Sequence, residues 1–207
     1  ALMDKLVPGP AKIRLLAHDW GGPAALGWAV RNPERTASAI LMNTGTRFPP
    51  GYEMPKRLSF FKTFPTLGGF FAKTLGLFNE GFLLQCSLRP LSPTVLDGFL
   101  APYRSRFLRE SVASFVRDIP LSPKHPSFGT LSSLDKALPN LSRKPVLLLW
   151  GLADAVFNGR FLHDLKKRLP GAKITALPDS GHLPLEDEPA KVLKELKNFW
   201  TRNPRAS

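Results

Sequence analysis

The sequence lacks paired cysteines and long apolar runs, and each absence excludes a class of protein. Its single cysteine, Cys86, excludes an internal disulfide and suits a reducing compartment. No stretch approaches the roughly 18 to 20 apolar residues that cross a bilayer. The opening residues, ALMDKLVPGP, lack the basic start and apolar block of an export signal. We therefore expect a cytoplasmic globular protein with one core, or at most two small ones.

Spacings typical of metal sites are also missing. The sequence has no paired Cys and no two His at helical spacing. His125 and His163 have no acidic or nucleophilic partner in a comparable context, and we interpret both as structural. Ser127, in HPSFG, has neither a preceding strand nor a small residue two places earlier, which disfavours a serine esterase. We expect an activity that needs no metal and no cofactor.

Acidic residues are scarce beside basic ones. The chain has 16 Asp and Glu against 29 Lys and Arg, a formal charge of +13. Such a charge can attract nucleic acid or anionic lipid. Much of it, however, lies in segments 160–173 and 191–205, where Lys and Arg alternate with apolar residues at helical spacing. This pattern is typical of the solvated faces of amphipathic helices, so we expect no specific nucleic-acid partner.

Short apolar runs alternate with helical patterns along the chain. Strands are predicted at 12–19, 37–43, 144–151 and 172–179, and helices at 22–32 and 159–169. The continuous apolar character of VLLLW and AILM indicates strands that are covered on both faces. The alternation predicts an α/β fold, with a parallel sheet flanked by helices.

Between residues 45 and 140 the amino-acid composition changes. Phe, Leu, Pro and Arg dominate, and runs of β-branched residues stop. We predict a mostly helical insertion that leaves the sheet at the carboxyl ends of the strands, where open α/β sheets bind ligands. It is either a cap over a cleft or an ordinary helical subdomain. The predicted division is a core part at 1–44, a helical cap at 45–140 and a second core part at 141–207.

Three chemically active side chains follow three predicted strands. Asp19 lies in AHDWGG after the first strand, Asp154 follows VLLLWGLA, and His182 follows ITALPDSG. The Asp and Gly residues of AHDWGG would also suit a plain turn. The order nucleophile, acid, histidine is instead the one that a hydrolase with a nucleophile elbow requires. Because all three follow strands, we predict that they form a catalytic triad.

These segments resemble a known family. HDWGGP resembles the nucleophile elbow of the α/β-hydrolases that use aspartate, namely the haloalkane dehalogenases and soluble epoxide hydrolases. LLLWGLADAVF resembles their strand with the triad acid, and DSGHLPLEDEP their histidine loop. The sequences at 41–50 and 98–127, together with the Phe-rich lid, resemble the dehalogenase subfamily that includes the β-lactone decarboxylases of bacterial olefin biosynthesis.

The resemblance implies an α/β-hydrolase fold with a helical cap inserted after the second strand present here. It implies that Asp19 is the nucleophile and that Asp154 orients His182. It places Trp20 and Asn43 at the substrate or halide site, with the Trp20 indole N–H on the departing halide; for Asn43 a structural role is the favoured interpretation.

Family members begin with several strands and a His-Gly-x-Pro type loop, and these 207 residues contain neither. The amino-terminal part of the family's sheet is therefore expected to be missing. KIRLLAH then becomes a sheet edge, through which we expect self-association. We also expect low dehalogenase activity, because that loop supplies oxyanion-hole groups.

The first function hypothesis is a hydrolase that cleaves carbon–halogen bonds through an alkyl ester on Asp19, its partners being a small hydrophobic substrate and water. The second is a β-lactone decarboxylase. Epoxide hydrolysis ranks lower because it relies on two lid tyrosines, and of Tyr52 and Tyr103 only the second falls in the helical part of the lid. An inactive fragment or a basic binding module is the remaining alternative.

Overall fold

The computed structural model describes residues 2–64, 81, 83 and 85–204. The predicted cap is therefore seen in part, since its Phe-rich stretch at 65–80 lies outside the described residues.

The described residues contain a four-stranded parallel sheet in the order β1-β2-β3-β4. The strands are β1 (Ile13–His18), β2 (Thr36–Met42), β3 (Val146–Gly151) and β4 (Lys173–Leu177). All four lie inside or within one residue of the segments predicted as strands, and the α/β class is confirmed.

Helices flank the strands and make up much of the described part of the insertion. They are α1 (Leu2–Leu6), α2 (Gly21–Ala29), α3 (Lys56–Thr63), α4 (Pro93–Leu100), α5 (Arg106–Arg117), α6 (Phe128–Ala137), α7 (Gly159–Arg168), α8 (Pro184–Asp187) and α9 (Pro189–Arg202). Short 3-10 turns follow at Ala101–Tyr103 and Leu138–Leu141. In the part of the chain that is described, none of the helices combines the length and the apolar character needed to cross a membrane.

The central strands β2 and β3 are buried on both faces of the sheet. On β3, Val146, Leu148 and Trp150 join the core cluster that includes α2, α6 and α7. The alternate residues, Leu147 and Leu149, join a second cluster with α9. Side chains of a strand point to opposite faces in turn, so a strand covered on both faces must be apolar throughout. This explains why the run VLLLW shows no polar alternation.

The insertion between β2 and β3 is mostly helical where it is described, and it has two parts. Helices α3 and α5 pack together, and Leu58, Val116 and Ile119 form a small core against which Trp20 packs. Helix α6 instead packs against α2 and contributes Leu134 to the main core. The described part of 45–140 thus contains a small helical core of its own and a helix that belongs to the main core.

Strand β1 pairs with β2 and, within the described residues, with no other strand. It is therefore an edge of this sheet, as predicted. Leu16, on this strand, is 43% exposed. Self-association through the edge stays a prediction.

Candidate active site

The turn after β1 is a strained elbow between a strand and a helix. Asp19 has a φ of 51°, a left-handed value that non-glycine residues seldom adopt. Its carbonyl oxygen accepts hydrogen bonds from Thr44 Oγ1 at 2.5 Å and from the Gly22 N–H at 3.0 Å, and its own N–H donates to the Asn43 carbonyl at 3.2 Å. Strain held by such contacts is typical of functional residues. The plain-turn interpretation of AHDWGG is therefore disfavoured.

Asp154 and His182 form a buried pair at the ends of β3 and β4. His182 Nδ1 donates to Asp154 Oδ2 at 2.8 Å. The other carboxylate oxygen, Oδ1, accepts the Val156 N–H at 2.6 Å. The hydrogen bond to Asp154 holds the proton of neutral His182 on Nδ1, so that the lone pair lies on Nε2. This nitrogen is 4.0 Å from Asp19 Oδ2.

The pKa values of His182 and Asp19 are both raised above their ordinary values. Burial opposes protonation of His182, but the hydrogen bond and charge of Asp154, together with the charge of Asp19, raise the pKa of His182 above its ordinary value. For Asp19, burial raises the pKa, and the neighbouring His182 partly offsets this effect. Both shifts follow from placing two carboxylates around one imidazole in a poorly solvated site.

Asn43 lies behind this pair. Its side chain is fully buried: Nδ2 donates to the Gly151 carbonyl at 3.0 Å and to Asp154 Oδ2 at 2.9 Å, while Oδ1 accepts the Gly151 N–H at 2.9 Å. Asn43 does not line the cavity described next. A direct halide contact does not fit this position, because its amide is already engaged. Asn43 instead joins the ends of β2 and β3 and orients Asp154.

A cavity of about 440 Å³ opens above the elbow. Three of the predicted site residues, Asp19, Trp20 and His182, lie in its wall. Most of the remaining wall is apolar and includes Phe48, Leu58, Phe115, Val116, Phe157 and Phe161. In the described ranges, no group of three or more His, Cys, Asp or Glu side chains is placed to hold a metal ion. The site therefore places a carboxylate and an imidazole in the wall of a largely apolar enclosure.

Comparison with known proteins identifies the family of this chain. A sequence profile described as the alpha/beta hydrolase family matches residues 1–195. The chain belongs to this family. The predicted α/β-hydrolase fold is thereby confirmed, as is the resemblance on which it rested.

Two groups of relatives of this α/β-hydrolase stand out. A cis-3-alkyl-4-alkyloxetan-2-one decarboxylase from Shewanella oneidensis is 32% identical over 97% of this chain and 63% of its own length. Its counterpart from Xanthomonas campestris is also 32% identical, over 96% of this chain and 65% of its own length. A haloalkane dehalogenase from Psychrobacter cryohalolentis is 28% identical over 93% of this chain and 62% of its own length. The chain thus spans slightly less than two thirds of these relatives.

Solved haloalkane dehalogenase structures share the fold. The enzyme DbeA from Bradyrhizobium elkani has a TM-score of 0.84 at 24% identity, covering 100% of this chain and 72% of its own. DatA from Agrobacterium tumefaciens has a TM-score of 0.84 at 22% identity, covering 99% of this chain and 70% of its own.

Both tyrosines of this α/β-hydrolase line the cavity, although only Tyr103 was expected in the helical part of the lid. Tyr52 lies in the loop before α3, where its ring stacks on Phe48 with centroids 5.5 Å apart and meets Phe161 edge-on at 4.9 Å. Burial, and then the negative charges of Asp154 and Asp19, raise the pKa of Tyr52 to about 12. At neutral pH Tyr52 is therefore a phenol that can donate a hydrogen bond.

His18, at the end of β1, is a site residue that the sequence argument missed. Its Nε2 donates to the backbone carbonyl of His182 at 2.7 Å, and the two rings lie 4.7 Å apart. Burial and the neighbouring His182 lower the pKa of His18 to about 4, so His18 is neutral at neutral pH. The sequence feature that could have identified His18 as a site residue is its place directly before Asp19, the predicted nucleophile.

The elbow yields a first prediction, because Gly22 has no space for a side chain. A Cβ there would lie 1.9 Å from Thr44 Oγ1, whereas a Cβ on Gly21 would meet nothing within 4 Å. We expect Gly22→Ala to lower the free energy of unfolding by about 1–3 kcal/mol. Gly21→Ala, at the adjacent position of α2, is the matched control and should change it little. Urea unfolding measures both, and equal stabilities would contradict the packing described here.

Proposed function

We propose that this α/β-hydrolase uses Asp19 as a nucleophile toward an electrophilic carbon of an apolar substrate. The observation that carries the proposal is the meeting of three strand ends at one largely apolar cavity, with His182 Nε2 4.0 Å from Asp19 Oδ2. A carboxylate needs no base to become a nucleophile, unlike serine. Partial desolvation raises the pKa of Asp19 and so makes its carboxylate more basic.

In the halide version of this reaction, an oxygen of Asp19 bonds to the carbon that carries the halogen. The carbon–halogen bond breaks, its electron pair leaves with the halide, and an alkyl ester of Asp19 remains. Trp20, in the cavity wall, can donate its indole N–H to the departing anion. Water then adds to the ester carbonyl and gives up a proton, the alcohol leaves, and the carboxylate is restored.

His182 suits the second step. Its Nε2 lies 4.0 Å from Asp19 Oδ2, beyond hydrogen-bond distance and near enough to act on a water beside the ester. Its raised pKa makes Nε2 a stronger base. Asp154 stabilises the imidazolium that forms, as the acid of a triad does.

A second candidate substrate is a β-lactone, an oxetan-2-one. Three observations favour it. Both tyrosines lie in the cavity wall, where a phenol can donate to a lactone oxygen, and the relatives at 32% identity are named as oxetanone decarboxylases. Asn43 is moreover withdrawn from the cavity, which leaves Trp20 as the one halide donor of the predicted pair.

The lactone chemistry also balances on Asp19. Its oxygen bonds to the alkyl-bearing ring carbon next to the ring oxygen, not to the carbonyl carbon. The bond between that carbon and the ring oxygen breaks, and its electron pair stays on the carboxylate that is released. Carbon dioxide then departs, the electrons of the broken carbon–carbon bond form the alkene, and Asp19 leaves with the ester bond pair. The products are an alkene and carbon dioxide, and no water is consumed.

Parallel assays with a 1-bromoalkane and a cis-3,4-dialkyl oxetan-2-one test the proposal. Bromide with alcohol identifies the first substrate class, and alkene with carbon dioxide identifies the second. Either activity should disappear in Asp19→Ala and persist in Asp179→Asn, a matched change of an exposed carboxylate near the histidine. Activity that survives in Asp19→Ala, or no reaction of the unaltered chain with either compound, would overturn the proposal.

A further inference from the structure

The loop that carries His182 is held by a distant part of the chain. This loop, residues 178–183, follows β4. The backbone carbonyl of Cys86 accepts the His182 N–H at 2.7 Å and the Leu183 N–H at 3.2 Å. Cys86 belongs to residues 86–89, a segment before α4 in the insertion between β2 and β3. The backbone at the histidine is therefore fixed to the insertion as well as to the sheet.

A buried carboxylate strengthens this connection. Asp187, at the end of α8, has no exposed surface, and its two carboxylate oxygens accept hydrogen bonds from different segments of the chain. Oδ1 accepts Ser87 Oγ at 2.6 Å and the backbone N–H groups of Leu88 at 2.8 Å and Arg89 at 3.1 Å. Oδ2 accepts the Gly181 N–H at 2.7 Å, one residue before the histidine. Hydrogen bonds to an ionised acceptor are stronger than neutral ones.

Close packing leaves this loop little freedom. A Cβ on Gly151, at the end of β3, would lie 2.0 Å from the Gly181 carbonyl oxygen. A Cβ on Gly181 would lie 2.7 Å from the Cys86 carbonyl oxygen. The loop is thus enclosed between β3 and the 86–89 segment, and a displacement of that segment moves the backbone of His182.

We propose that Asp187 is a positioning residue for His182, which acts by tying the 86–89 segment to the histidine loop. The consequence for catalysis rests on the proposed function. Asp19 attacks first and does not need His182, whereas ester hydrolysis needs Nε2 aimed at a water. Loosening the loop therefore slows the second step and spares the first. A displacement of about 1 Å can reduce a rate roughly a hundredfold.

The test is Asp187→Asn in the full chain, with a 1-bromoalkane as probe and mass spectrometry of the intact protein. The amide keeps one acceptor oxygen but turns an NH2 group toward donors on one side. We expect the rate of alkylation to stay within about twofold, and ester hydrolysis to fall roughly tenfold to a hundredfold, so that the adduct accumulates. Asp135→Asn is the matched control, because this partly buried carboxylate binds Thr46 and Arg168 in a separate network.

NMR titration of the His182 imidazole supplies a readout that does not need turnover. Contact with Asp154 raises the pKa of His182, so a displaced ring in Asp187→Asn should titrate at lower pH than in the unaltered chain, and Asp135→Asn should leave it unchanged. An unshifted His182 in a folded Asp187→Asn variant would overturn the positioning role. A shifted His182 without any adduct from the unaltered chain or from His182→Phe would instead point to failure of the proposed function alone.

Ser87→Ala is a second variant that tests the same proposal if Asp187→Asn does not fold. It removes one of the hydrogen bonds to Asp187 Oδ1 and leaves the carboxylate in place. We expect a smaller change in the same direction in both readouts. If alkylation and hydrolysis fell to the same extent, in proportion to the loss of folding stability, Asp187 would have a merely structural role and the proposal would be overturned.

Discussion

Replacing His182 by Phe is expected to leave alkylation of Asp19 intact and to slow ester hydrolysis by roughly 10²–10⁴-fold, the usual contribution of a general base. Phe retains an aromatic ring beside His18 and Phe157, whose ring centroids lie 4.7 Å and 6.0 Å from that of His182. It has no nitrogen to take a proton from water. After exposure to a 1-bromoalkane, the intact mass should therefore show one alkyl group that persists, and peptide mapping should place it on Asp19.

His125→Phe is the matched control, because His125 lies 3.4 Å from Asp118 and does not line the cavity. This variant should turn over its adduct as the unaltered chain does. A folded His182→Phe chain without an adduct would mean that the division of labour between Asp19 and His182 is wrong. An adduct on any carboxylate other than Asp19 would contradict the assignment of the nucleophile.

The second large effect is expected for Asp154→Asn, which should slow ester hydrolysis roughly 10³–10⁴-fold with little change in fold. Asp154 accepts hydrogen bonds from His182 Nδ1, Asn43 Nδ2 and the Val156 N–H. An asparagine has one acceptor oxygen and one NH2 group, so it cannot accept from both sides. If its NH2 group faces His182, the imidazole proton moves to Nε2 and the base is lost.

The same variant should change the pH dependence of hydrolysis. In the unaltered chain the pKa of His182 is raised, so the basic form of the imidazole, and with it the rate, grows as pH rises through a value above the ordinary one. Without the charge of Asp154, burial dominates and lowers that pKa, so the acid limb of the profile moves to lower pH. Single-turnover hydrolysis of the ester across pH measures this. With Asp179→Asn as the exposed control, an unchanged rate and profile in Asp154→Asn would point to another acid.

The three candidate triad positions could be proposed from the sequence because their signal is local. Asp19, Asp154 and His182 each follow an apolar run, and the carboxyl ends of parallel strands meet at one edge of the sheet. The prediction therefore needed only the positions of the strands, and these followed from composition and length. The apolar wall of the cavity was likewise implied by the Phe and Leu content of the insertion.

Other features of the site depend on the direction of a side chain, which local sequence does not encode. Asn43 directly follows a strand, as Asp19 does, yet its amide turns away from the cavity toward Gly151 and Asp154. Tyr52 lies outside the helical part of the insertion, yet packing against Phe48 and Phe161 brings it to the cavity wall. Tertiary contacts decide these orientations.

By itself, the sequence determined the α/β class, the order of strands and helices and the three candidate catalytic residues, because apolar periodicity and residue type act over short stretches of chain. Tertiary structure alone decided that His18 supports the His182 backbone and that Asp187 joins residues 86–89 to the histidine loop. These bonds connect groups that lie far apart in sequence. They form only after the sheet and the insertion have packed, when burial leaves each polar group few partners besides those within reach.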